Sequence, residues 1–152
     1  MKTYTNEKEL AAVVSPMHHT IKERLEEFGR AVRSKRVAMF VDGLAEDEKR
    51  WARRLNRFAS PEAHQDGGRT WLQYLPKEDF ALNNRAFRTD MTVREVAVRV
   101  ASQYDQIIAF FEGLLKTGQL TPPLRETIEE LADQHDRQKA DLFVKADQIT
   151  KI

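Results

Sequence analysis

Apolar residues recur at alternating steps of four and three in four segments of the chain, the spacing that keeps one helix face turned toward a core. The first stripe is Val14, His18, Ile21, Leu25, Phe28 and Val32, and the second is Val37, Val41, Leu44, Glu48, Trp51, Leu55 and Phe58. The third is Val93, Ala97, Val100, Tyr104, Ile107, Phe111 and Leu114, and the fourth is Leu124, Ile128, Leu131, His135, Gln138, Leu142 and Lys145. No segment alternates in the manner of a strand. Four amphipathic helices predict an all-α four-helix bundle, with helices over about 6–32, 34–59, 90–116 and 122–147.

Local punctuation supports these bounds. Asn6 with Glu9 and Thr92 with Glu95 have capping-box spacing. Ser15-Pro16, Ser60-Pro61 and Thr121-Pro122 each read as an N-cap followed by proline at the first helical position. Pro16 leaves two options for residues 6–32, one helix kinked at the proline or two helices. The turns near Arg30–Ser34 and Thr117–Thr121 are short, so each flanking pair of helices should form an antiparallel hairpin. Residues 60–89 carry His64-Gln65-Asp66-Gly67-Gly68, Pro76 and Asn83-Asn84 with weak periodicity. They read as a long crossover with one short helix around Trp71–Leu75. The whole chain, residues 1–152, reads as a single domain.

Each stripe is interrupted near its middle. His18, Glu48, Tyr104, His135 and Gln138 stand where apolar residues would be expected, and Lys145 stands at what reads as a fraying end. Buried polar groups cost free energy unless paired, so these residues need partners. Counted from the turns, His18, Glu48, Tyr104 and His135 all lie about 14 to 16 residues away, or roughly 20 Å at 1.5 Å per residue. They can therefore share one layer across the bundle, with Trp51 and Gln138 one turn along.

Composition narrows the chemistry. The 152 residues include no cysteine, which removes disulfides, thiolate metal sites and thiol catalysis. The 25 basic and 24 acidic side chains nearly cancel, so no global field points to nucleic acid or membrane. MKTYTNEKEL lacks the apolar core of a signal peptide, and a cytoplasmic location is expected. Lys49, Arg50, Arg53, Arg54 and Arg57 make a basic face, but Glu46, Asp47 and Glu62 dilute it, and nucleic-acid binding is not expected.

LAEDEKRWARRL (from Leu44) and LADQHDRQKADL (from Leu131) open alike. With QYDQIIAFFEGL (from Gln103), they make the chain resemble the ferritin-like superfamily, rubrerythrin-like members most closely, over roughly residues 10–146. The resemblance implies a ferritin-like bundle of two hairpins joined by a long crossover. In that family the second and fourth helices carry Glu-x-x-His and the first and third each supply a Glu. Here Glu48 matches the Glu and Trp51 the His of the second helix, while His135 and Gln138 match those of the fourth. Tyr104 falls at or beside the third-helix Glu, Phe110-Phe111 replaces a Phe-Tyr pair, and the first-helix ligand falls near Met17 or His18. A second register, aligning Ala31–Leu44 with Ala101–Leu114, would instead set Ser34 opposite Tyr104.

A di-iron carboxylate centre needs about four carboxylates and two histidines. The matched positions offer one carboxylate, Glu48, and one histidine, His135, with His18 nearby. Two arrangements remain. His18, Glu48 and His135 could bind a single Fe, Zn or Mn ion, with Tyr104 or water completing the set. Alternatively the layer holds no metal, and Glu48 accepts hydrogen bonds from His135, Tyr104 or the Trp51 indole. The second is favoured, because histidines on apolar helix faces are more often hydrogen-bonded core residues than ligands. The expected protein is thus a structural or interaction protein without cofactor, pairing through helix faces as a homodimer by resemblance. The alternative is a rubrerythrin-like metal-dependent oxidoreductase or metal-handling protein.

Overall fold

A computed structural model describes residues 7–58, 87–116 and 120–151. They form four helices: α1 (Glu7–Ala31), α2 (Lys35–Phe58), α3 (Val93–Lys116) and α4 (Pro122–Thr150). The described regular structure is all helical, a four-helix arrangement as the stripes require. Most of the expected crossover, with its short helix at Trp71–Leu75 and the Ser60-Pro61 cap, lies outside the described residues, as does Asn6.

The helix starts follow side-chain chemistry. At α3 the Thr92 N–H donates to Glu95 Oε1 at 3.2 Å and the Glu95 N–H donates to Thr92 Oγ1 at 3.1 Å, a reciprocal capping box. The helix therefore begins at Val93 and not at residue 90. Ser34 Oγ accepts the Val37 N–H at 3.3 Å and caps α2. Thr121 is extended ahead of Pro122 but makes no side-chain cap bond.

Ser15-Pro16 starts nothing, because α1 runs unbroken through Pro16. The proline removes the bond its N–H would give the carbonyl of residue 12, a loss of about 3 kcal/mol in a helix interior. Val14, Ile21 and Leu25 on the same helix are completely buried. At roughly 1.5–3 kcal/mol each, their burial exceeds that loss and keeps α1 whole.

Contacts between helices set their directions. Gly29 faces Val41, where an added Cβ would lie 3.4 Å from Val41 Cγ1, and His18 faces Glu48, so α1 and α2 are antiparallel. Arg125 donates to the Leu115 carbonyl at 3.0 Å and Lys139 meets Asp105 at 2.6 Å, so α3 and α4 are antiparallel too. Lys145 meets Asp47 at 2.9 Å while Arg54 meets Gln134 at 2.8 Å, which makes α2 and α4 antiparallel. It follows that α2 and α3 point the same way. The chain leaves α2 at one end of the bundle and enters α3 at the other, where Phe87 packs on Phe28 with ring centres 5.1 Å apart.

The core is built from buried apolar residues of the four stripes together with their flanks, Phe40, Ala45, Val96, Ala101 and Phe110 among them. Among the described residues, no helix is long and apolar enough to cross a membrane.

Candidate functional site in the bundle core

Midway along the bundle, His18 from α1, Glu48 and Trp51 from α2, Tyr104 from α3, and His135 and Gln138 from α4 form one connected polar layer. His18, Glu48, Trp51, Tyr104 and His135 are no more than 3% exposed, and Gln138 is half-buried at the rim. Each arrives there because it occupies a core position of its stripe, four or three residues from apolar neighbours.

The hydrogen bonds run in a determined direction. His135 Nδ1 lies 2.7 Å from the Leu131 carbonyl oxygen, which can only accept, so this nitrogen carries the hydrogen. Burial, then the electrostatic effect of the neighbouring His18 ring, lowers the His135 pKa to about 3, so the ring is neutral near pH 7. Its Nε2 is then a bare acceptor, and His18 Nε2, 2.9 Å away, must donate to it. The opposite nitrogen of His18, Nδ1, pairs with Glu48 Oε2. One proton occupies that contact, whether drawn as imidazolium and carboxylate or as imidazole and carboxylic acid.

The other half begins at a group that can only donate. The Trp51 indole N–H bonds Gln138 Oε1, which fixes the amide so that its nitrogen donates to the Tyr104 hydroxyl oxygen at 3.3 Å. The Tyr104 hydroxyl in turn donates a hydrogen bond to Glu48 Oε1. Burial, then the Glu48 charge, raises the Tyr104 pKa well above the usual phenol value, so the hydroxyl keeps its hydrogen. Both carboxylate oxygens of Glu48 are thus engaged, one from each side.

The rings wall this network in. Trp51 stacks on His135 with centres 4.0 Å apart and planes at 27°, and on His18 at 5.1 Å and 14°. Phe111 and Tyr104 meet His135 edge-on. A buried polar group left unpaired costs about 1–3 kcal/mol. Six unsatisfied side chains would therefore consume most of the roughly 5–15 kcal/mol that holds a domain folded. Pairing within the layer is a condition of folding.

The donor set does not suit a di-iron centre. One carboxylate occupies the matched positions where such a centre takes about four. Among the described residues, no group of three or more histidine, aspartate or glutamate side chains is disposed to hold a metal ion. Glu48 bonds His18 Nδ1, whereas the nitrogen facing His135 is Nε2, so the three candidate ligands do not bracket one point. Glu48 stands behind His18, the place of a carboxylate that orients a histidine.

The six residues singled out by their stripes all meet. Their pairing differs from the expected one in two respects: Glu48 bonds His18 and not His135, and Trp51 bonds Gln138 and not Glu48. Ser34 caps α2 beside the first turn, and Glu48 is the residue opposite Tyr104. Lys145 does not lie at a fraying end, because α4 continues to Thr150. It bonds Asp47, a buried carboxylate that the stripes missed and that Arg50 also approaches at 3.5 Å. Burial alone would lower the pKa of the Lys145 ammonium, but its bonds to Asp47 and Asp141 raise it. A lysine on an apolar stripe was the available signal for this second pair. The basic face is divided in its contacts: Lys49 pairs with Glu46, while Arg54 lies over the Trp51 ring, 4.9 Å from its centre.

In comparisons with models of protein families, with curated proteins and with solved structures, the chain has no match.

Proposed function

We propose that this chain is a bundle of ferritin-like type in which a closed hydrogen-bonded layer takes the place of a di-iron centre, and that it works as a structural or interaction protein. The observation that carries this reading is the saturation of the layer. Each nitrogen of His18 and His135 is engaged with a neighbour, and both Glu48 oxygens accept or share a proton. Metal binding would have to break bonds that already satisfy buried groups. The parallel course of α2 and α3, with the polar residues at mid-height, supports the ferritin-like arrangement. Self-association through helix faces follows from that resemblance, and the molar mass in solution tests it directly.

A second reading has one specific observation in its favour. Two imidazole Nε2 atoms face each other at 2.9 Å, and a single Fe, Zn or Mn ion could displace the proton between them while Glu48 held the far side of His18. Elemental analysis of protein purified without chelator separates the two. The metal-free reading expects no stoichiometric metal and an unchanged melting temperature on adding Fe(II), Zn(II) or Mn(II). One equivalent of metal that disappears in His135→Ala would overturn it.

A further inference from the structure

We propose that the cleft between α2 and α4 binds a small phosphate monoester carrying hydroxyl groups, its phosphate at the Arg54 end and its hydroxyls toward Asp141. The cleft is an open groove with room for about 330 Å³, at the small end of the roughly 300–1,000 Å³ typical of ligand pockets. Its floor is Trp51 and Gln138, and four cations and two carboxylates line its sides.

These charges are unevenly distributed along the cleft. At one end Lys145 is shared between Asp47 at 2.9 Å and Asp141 at 3.5 Å, and Arg50 also leans on Asp47. At the other end, among the described residues, Arg54 has only neutral partners, the Gln134 amide oxygen and the face of Trp51. Arg137 lines the same end and pairs with Asp133 one turn back on its own helix, an exposed contact that water screens. Two guanidinium groups with unspent hydrogens, and Arg50 a turn away, suit a doubly charged oxyanion, which guanidinium binds in a planar two-bond geometry. Asp141, half a cleft further on, only accepts hydrogen bonds, and so selects a ligand whose remainder offers O–H donors. A bare anion would find repulsion there. The proposal does not depend on whether the core layer holds metal.

Calorimetric titration in chloride buffer at constant ionic strength tests it, using glycerol 3-phosphate, inorganic phosphate and glycerol as probes. Trp51 fluorescence in a Trp71→Phe background gives a second readout from the floor of the cleft. Saturable binding is expected for glycerol 3-phosphate, weaker binding for inorganic phosphate and none for glycerol. Arg54→Gln should weaken both anions roughly 10- to 100-fold, the value of a lost charge-assisted bond. Asp141→Asn should erase the preference for glycerol 3-phosphate without weakening inorganic phosphate. Circular dichroism separates lost binding from lost fold, and Arg137→Gln tests the same end should Arg54→Gln not fold. Absence of saturable binding, equal affinity for the two anions, or indifference to both arginine substitutions overturns the proposal.

Discussion

His18 points its Nε2 at the Nε2 of His135 across 2.9 Å, and the proton between them belongs to His18. His135 has already committed its own hydrogen to the Leu131 carbonyl. This fixes the tautomer of one ring and makes the state of the other depend on Glu48.

A first prediction concerns what Glu48 must supply. Glu48→Ala orphans the Tyr104 hydroxyl and His18 Nδ1 in a dry core, and should cost about 3–5 kcal/mol. Glu48→Gln should cost less than about 1 kcal/mol, because the new amide can satisfy both neighbours. Its oxygen accepts from Tyr104 and its nitrogen donates to a neutral His18 that keeps Nε2–H for His135. Urea unfolding of both variants checks this; equal losses would refute the assigned proton order.

Acid should act through His135. Its pKa falls from 6.5 in the open chain to about 3 in the fold, so below pH 6.5 the unfolded state binds a proton that the native state refuses. The contribution is complete above pH 6.5 and is lost as pH falls toward 3, at about 1.4 kcal/mol per pH unit. His135→Gln, whose oxygen can still accept from His18, should flatten the stability profile by that one-proton slope. Denaturant midpoints across the window give the comparison, and parallel profiles would rule the assignment out.

Trp51 and Gln138 should behave as one unit. Trp51→Phe leaves the Gln138 oxygen unpaired, and Gln138→Leu leaves the indole N–H unpaired, at about 1–3 kcal/mol each. Both together leave neither group of that bond behind, so the double variant should fall short of the sum by about 1 kcal/mol or more. An additive thermodynamic cycle would mean the bond contributes nothing.

Capping gives a contrast between two threonines. Thr92→Ala removes half of a reciprocal box and should cost about 1 kcal/mol. Thr121 makes no side-chain bond, so Thr121→Ala should change stability by at most about 0.5 kcal/mol. Melting temperatures suffice to rank them, and the reverse order would contradict the cap geometry.

These residues also mark how far the sequence could be read. The stripe rule found His18, Glu48, Tyr104, His135, Trp51 and Gln138, because burial at every third or fourth position is a property of the helix itself. It did not find who bonds whom. Glu48 could reach several donors at the same height, and the choice of His18 rests on ring rotamers and on the rotation of α1. Ser15-Pro16 misled for a related reason: local proline chemistry predicts a start, and the buried face from Val14 to Phe28 overrides it. Asp47 was missed because it stands beside Glu48, off the stripe, and is buried only through the packing of α4 over α2.

The ends of the hydrogen-bonded chain decide one further matter. Trp51 can give a hydrogen but never receive one, and the Leu131 carbonyl can receive but never pass one on. A conducting wire needs termini that load and unload, and both termini here are dead ends. The proton held between His18 and Glu48 can move back and forth over one bond length, yet it has nowhere to be delivered. The layer is a lock with its key inside: it specifies the mutual rotation of four helices and carries no current through them.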